Sequence, residues 1–223
     1  SMKQVHRRIM LSSVYQLSSA EPTTTADSAN QFLAHYPRQR LDAESIRDSL
    51  LLLGGNLDRT AGGQHPFPAM ASWGFTQHNP FTAVYESPRR SIYLMTQRLK
   101  RHPYLALFDG ADTNASTPRR QETTVPTQSL FLMNDPFVHE QAAGLARRVL
   151  AAAVEEPARI RLAYEIALTR IPTADDLVAD QAFLAQYQQS LATSSIPADQ
   201  RELTAWSALV RTILTRNEFL FVD

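Results

Sequence analysis

The sequence predicts a mainly α fold: a helical bundle with one short β-hairpin and a long aromatic loop. Three observations carry that prediction. Apolar residues recur at helical spacing through most of the carboxy-terminal half. Helix-start signals stand before several of these stripes, among them Asp42, Asp135-Pro136 and Thr173. Between residues 54 and 81 the period fails, and Gly, Pro and aromatic residues alternate instead.

The elements follow in order. Val5, Ile9, Met10, Val14 and Leu17 place one apolar stripe on a first helix. The stripe begins almost at once, which predicts that the chain starts inside a larger protein. Glu21-Pro22 and Thr23-Thr24-Thr25 read as loop. Asp42 predicts the N-cap of a second helix, because its carboxylate can accept from free backbone N–H groups of the first turn. Gly54-Gly55 predicts its end, since glycine takes the left-handed C′ conformation without steric cost.

The stretch from Gly54 to Phe81 holds Phe67, Trp73, Phe75 and Phe81 among glycines and prolines. It is too long for an idle connection, and its aromatics predict docking, either on the core or on a ligand such as a sugar ring. Thr82–Tyr85 and Ser91–Leu94 flank Glu86-Ser87-Pro88-Arg89 and predict a hairpin.

Further on, Pro126 predicts the first turn of a short helix reaching Met133. Asp135 and Pro136 start the next, with Val138, Ala142, Leu145 and Val149 as its stripe. Pro157 opens a helix that is apolar nearly all round, which predicts burial in the middle of the bundle. Thr173 with Asp176 reads as a capping box. The last helix carries Leu203, Trp206, Leu209, Val210, Ile213 and Leu214 and is expected to end near Asn217. The expected layout is an amino-terminal helical part over 1–115, truncated at its start, and a carboxy-terminal bundle over 116–223, as one continuous unit.

Composition bounds the function. Of 223 residues, 43% are hydrophobic and 20% charged, the ordinary globular range. Lys plus Arg equals Asp plus Glu, at 22 each, so no global field favours nucleic acid or an anionic membrane. No apolar run approaches the about 20 residues that span a membrane. There is no cysteine, which excludes disulfides, thiolate metal sites, thiol catalysis and haem attachment in this chain. No Gly-rich phosphate loop or nucleophile elbow occurs, and His139-Glu140 lacks the second histidine of a zinc helix.

Five groups could carry chemistry. Asp109, Asp112 and Asn114 offer oxygen ligands for a cation, or they tie off a turn through their own backbone. Arg40, Asp42, Glu44, Arg47 and Asp48 offer a carboxylate pair with guanidinium partners, or a cap with surface ion pairs. Arg89 and Arg90, with Arg98, Lys100 and Arg101, could hold an anionic group through guanidinium forks, or form a solvated face. Trp73 could stack on a sugar ring or pin its loop. His65 and His78 would need a third ligand to hold a metal, so no metal site is assigned.

Several phrases resemble a known family. They are His6-Arg7-Arg8-Ile9 with Ser12-Ser13 and Tyr15-Gln16, Arg40-Leu41-Asp42-Ala43-Glu44 with Ile46-Arg47-Asp48, and Arg89-Arg90-Ser91 with Tyr93. Phe108-Asp109, Asp112, Asn114, Thr123-Thr124-Val125-Pro126, Asn134-Asp135-Pro136-Phe137-Val138 and Asn217-Glu218-Phe219 continue the series in fixed order. Together they resemble the carboxy-terminal domain of unknown function of large planctomycete cytochrome-c-like proteins. The chain departs from the family phrase at Gln39, where an arginine is expected.

The resemblance implies a secreted, periplasmic or cell-surface parent. Haem c would sit on a separate domain, with no cofactor in this chain. It implies no activity. The expectation is a non-catalytic binding or interaction module whose partners are the upstream domains of the parent and a polysaccharide, with no nucleic acid and no membrane insertion. The alternatives are a polysaccharide hydrolase, with Asp42, Glu44, Asp109 and Asp112 as acid and base, and a docking platform for the haem domain.

Overall fold

Helices form where the caps and stripes predict them. A computed structural model describes residues 1–19, 30–63, 86–98, 101–116 and 118–222. The expectations for Phe67, Trp73, Phe75, Phe81, His65, His78 and the first hairpin arm at 82–85 lie outside these residues. The structure divides into two compact units, Ser1–Leu41 with Leu220–Asp223, and Asp42–Phe219. The expected boundary at residue 115 falls inside the second unit.

In the first unit, α1 (Met2–Met10) stops before Val14 and Leu17, so only part of the expected stripe is helical. It buries none of its residues. Strand β1 (Gln39–Arg40) pairs antiparallel with β2 (Phe221–Val222), Arg40 opposite Phe221. Arg38 lies 5.0 Å over the Phe221 ring.

In the second unit, α2 (Ala43–Gly54) starts on Asp42, whose Oδ1 accepts from Ser45 N at 2.7 Å. Gly55 ends it in the left-handed conformation, φ 81°. A short 3₁₀ turn at Ser91–Tyr93 precedes α3 (Pro103–Leu107) and α4 (Pro126–Asn134). Four longer helices follow: α5 (Pro136–Ala152), α6 (Glu156–Leu168), α7 (Ala174–Ala192) and α8 (Ala198–Leu214). The short α9 (Asn217–Leu220) leads into β2. Asp135 caps α5 by accepting from Phe137 N at 2.9 Å. Thr173 and Asp176 form the reciprocal capping box of α7 at 3.1 and 3.0 Å. No helix among the described residues is long and apolar enough to cross a membrane.

Two expectations need correction. The arm predicted as a strand at Ser91–Leu94 is the 3₁₀ turn: Ser91 N donates to Asp48 of α2, while Tyr93 N and Leu94 N bond back to Arg90 O and Ser91 O. The short sheet lies elsewhere, between β1 and β2. Helix α6 is also not the centre of the bundle: Leu162, Ile166, Ala167 and Leu168 are only half-buried. The middle is the α5–α8 seam, where Val138, Leu145, Val149, Trp206, Leu209 and Ile213 are all buried to 1% exposure or less. Helix α5 also crosses α2 backbone to backbone. A Cβ at Gly144 would stand 2.2 Å from Gly54 O, so no other residue fits that crossing without displacing a helix.

Candidate functional site

Among the described residues, 86–91 meet a sheet partner only through the Asp58–Arg89 bridge; the carbonyls of Pro88, Arg90 and Ser91 accept from backbone N–H groups, and those of Ser87 and Arg89 need other donors. Arg47 supplies them from α2. Its side chain is 4% exposed and donates to Arg89 O at 3.1 Å, Ser91 Oγ at 3.3 Å and, in a very short contact, Ser87 O. The guanidinium also lies 5.6 Å from the Phe137 ring. Burial pulls its pKa below the ordinary guanidinium value, while Glu86 and Asp48 oppose that shift. The neighbouring Asp48 accepts from both Ser91 N and Ser91 Oγ at 2.7 Å.

Glu86 lies 3.5 Å from His102 Nε2 and 3.9 Å from Arg47. The hydrogen-bonding influence of His102, joined by the charges of His102 and Arg47, holds its carboxyl below the usual range against the opposing effect of burial. Arg89, a candidate anion ligand, instead donates to Thr60 O at 3.0 Å and to Gly62 O, and lies 4.4 Å over the Tyr93 ring. Arg90 is exposed beside it.

A second set of candidates meets around the loop after α3. Asp109 takes the left-handed conformation, φ 60°, which a short polar side chain tolerates. Its carboxylate accepts from Thr123 N at 2.8 Å and Thr123 Oγ1 at 2.9 Å. Asp112 closes an Asx turn by accepting from Asn114 N at 2.9 Å, and Asn114 Nδ2 donates to Arg98 O at 2.8 Å. Thr113 Oγ1 donates to Gln97 O at 2.7 Å.

These residues border an open cleft of about 290 Å³ lined by Arg101, Asp109, Asp112, Ser116, Arg119 and Arg120, among others. Arg120 grips Glu44 of α2 with both terminal nitrogens, at 2.5 and 3.0 Å, and lies 3.9 Å from Asp42. That grip raises the Arg120 pKa further. Arg101 donates to Gly110 O. Arg119 is exposed and makes no hydrogen bond or ion pair among the described residues.

The structure therefore places Asp109 and Asp112 on the cleft with Arg120, and Arg120 in turn reaches Glu44 and Asp42, which do not line it. Arg47 and Arg89 belong to the 86–91 loop instead. Arg40 stands in β1 of the other unit, and Trp73 lies outside the described residues. Sequence reading missed Arg119 and Arg120 altogether; the adjacent arginine pair after Pro118 was the available signal. Among the described residues, no three His, Asp or Glu side chains converge as a metal set.

A third cluster also went unread. Asp176, besides its capping role, accepts from Arg170 and Arg216, each at 2.9 Å. Burial pushes its pKa up, but the Arg216 and Arg170 hydrogen bonds outweigh this and hold it far below the usual carboxylate value. Both guanidinium groups lie 5.1 Å from the Tyr164 ring, and Arg170 reaches Glu218 at 2.8 Å. The only sequence trace was the capping box, because these residues come from α6, α7 and the segments after α6 and α8.

No curated protein and no solved structure matches the chain. A family model, described as PSD1, protein of unknown function (DUF1553), matches residues 1–184, most of the length. The residues that build the 86–91 cradle and the Asp109 loop fall within that match, and the chain belongs to this family of proteins of unknown function.

Proposed function

We propose that the chain is a non-catalytic binding module whose cleft beside the Asp109 loop takes an anionic saccharide, sulfated or uronic. One observation carries this reading. Among the described residues, Arg119 is an exposed guanidinium without a partner at the rim, while Arg120 and Arg101 are held in place by internal bonds. A pre-positioned basic wall with one uncommitted guanidinium suits a planar anionic group, which Arg binds bidentately. The exposed Ser116 is available to a hydroxyl.

The geometry favours binding over hydrolysis. Glycoside cleavage needs two carboxyl groups roughly 5 to 10 Å apart that face the substrate. Here Asp42 caps a helix, Glu44 is gripped by Arg120, Asp109 holds Thr123 and Asp112 closes a turn. Each is already engaged in supporting the fold.

A second reading, docking of a neighbouring domain, is favoured by α1 and the turn after it. Met2, Val5, Ile9, Met10 and Leu11 are all at least half exposed there, from 50% for Val5 to 72% for Met2. In both readings the parent is a secreted multidomain protein whose haem c sits on another domain, a context supported by the sequence phrases.

The test is titration calorimetry of the purified chain against sulfated and uronic-acid oligosaccharides at two salt concentrations. The expected result is salt-sensitive binding, weakened about tenfold, ~1.4 kcal/mol, in Arg119→Ala. Binding unchanged by that substitution, or no binding to any saccharide, would remove the cleft as the site.

A further inference from the structure

A separate cleft of about 500 Å³ opens where the carboxy-terminal half of α2 meets the start of α5. Its volume falls in the range of small-ligand sites. Leu51, Pro88 and Phe137 give it an apolar lining, and Glu86, Asp135 and Glu140 give it three carboxyl groups. The one guanidinium in the lining, Arg47, is already committed to the carbonyls of residues 87 and 89. Asp135 is committed to Phe137 N. Glu140 is exposed and pairs with nothing among the described residues, and the Glu86 side chain is 73% exposed.

Gln141 gives an independent sign of a ligand. It is 99% buried by residue and lines the cleft. Its Oε1 accepts from Asn56 Nδ2 at 2.8 Å, while its Nε2 has no acceptor among the described residues. The side chain is also clamped: a Cβ at Gly54 would stand 2.4 Å from Gln141 Oε1. A clamped amide whose unused Nε2 donors are accessible beside an apolar wall is matched by a carbonyl group.

We propose that this cleft binds an arginine residue of a peptide. The guanidinium would meet Glu140 and Glu86, its stem would lie along Leu51, Pro88 and Phe137, and its backbone carbonyl would accept from Gln141 Nε2. Arginine fits better than lysine because a planar fork matches carboxylates and packs flat on an aromatic ring. The ligand is opposite in charge to the anion of the Asp109 cleft, so the two assignments stand or fall separately.

The experiment titrates the full chain with N-acetyl-arginine amide and follows the Gln141 side-chain amide by ¹H–¹⁵N NMR. N-acetyl-citrulline amide serves as the neutral isostere and N-acetyl-lysine amide as the rival cation. Saturable shifts are expected with a dissociation constant on the order of 1 mM, about what a ligand this small allows. Citrulline should bind at least about tenfold more weakly, and Glu140→Gln should weaken arginine binding by a similar factor. Glu140 is exposed and unpaired, so that variant keeps the fold. The proposal is overturned if no saturable shift appears, if citrulline binds as well, if Glu140→Gln changes nothing, or if lysine binds as tightly as arginine.

Discussion

Around Arg47 and around Trp206 the same unit is held by different physics. In the 86–91 loop, among the described residues, backbone groups serve only some of the carbonyls, and one buried guanidinium and one carboxylate serve Ser87 O, Arg89 O and Ser91 N. The α5–α8 seam needs no such device, because its backbone is satisfied within each helix and its contacts are apolar. The first region depends on a few directional bonds and the second on volume. Directional bonds fail locally when one partner is removed, whereas a cavity in a shared seam weakens the whole unit.

The largest effect should come from the seam. Trp206→Ala removes a side chain that is 1% exposed and should cost about 4 kcal/mol. Chemical denaturation should show one cooperative transition at lower denaturant. A loss below about 2 kcal/mol would mean that α5 and α8 close over the gap.

Arg47→Met should cost about 3 kcal/mol, since carbonyls of residues 87 and 89 and the Glu86 charge lose their partner. Its signature is local: hydrogen exchange at Ser91 should accelerate before exchange in α5 and α8. Arg47→Lys should not restore protection, because an ammonium group lacks the planar fork. Simultaneous loss in both regions would break the contrast.

Asp176→Asn tests a mixed case, where directional bonds sit on the bundle. It should cost about 2 kcal/mol at neutral pH through the charge-assisted bonds to Arg170 and Arg216. The native-state pKa of Asp176 is depressed, so its contribution is complete above the unfolded value near 4 and fades as pH falls below it. Thermal melts between pH 5 and 2 should therefore be less steep in pH for the variant. Asp180, one turn along α7, is shifted upward by burial, so Asp180→Asn should not reproduce that effect.

The smallest effect belongs to the rim. Glu44→Gln loosens the Arg120 grip and should cost about 0.5 kcal/mol, less at high salt. A cost above about 2 kcal/mol would place Arg120 among the supports of the fold, alongside Arg47.

Much of the helical layout was legible because its signals are local. Asp42, Asp135-Pro136 and Thr173-Asp176 each satisfy N–H groups within the same turn, so a few residues of sequence contain both donor and acceptor. The β1–β2 pair was not legible, since Arg40 and Phe221 stand near opposite ends of the chain. The apolar girth of α6 misled for a related reason. Periodicity reports that a face can be buried and not how much of it a neighbour covers. Among the candidate site residues, the sequence singled out Asp42, Glu44, Asp109 and Asp112, but it could not tell that Arg120 grips Glu44 beside Asp42.

By itself the sequence determined the helical class, the caps and the absence of thiol chemistry and of a phosphate-loop motif, because each rests on residue type or short spacing. The tertiary structure alone decided that Arg47 serves loop carbonyls, that Arg120 at one cleft grips Glu44, and that Gln141 keeps an unused donor beside another. Those outcomes depend on which helices cross. The crossing of α2 and α5 is set by two glycines whose smallness matters only once their backbones meet.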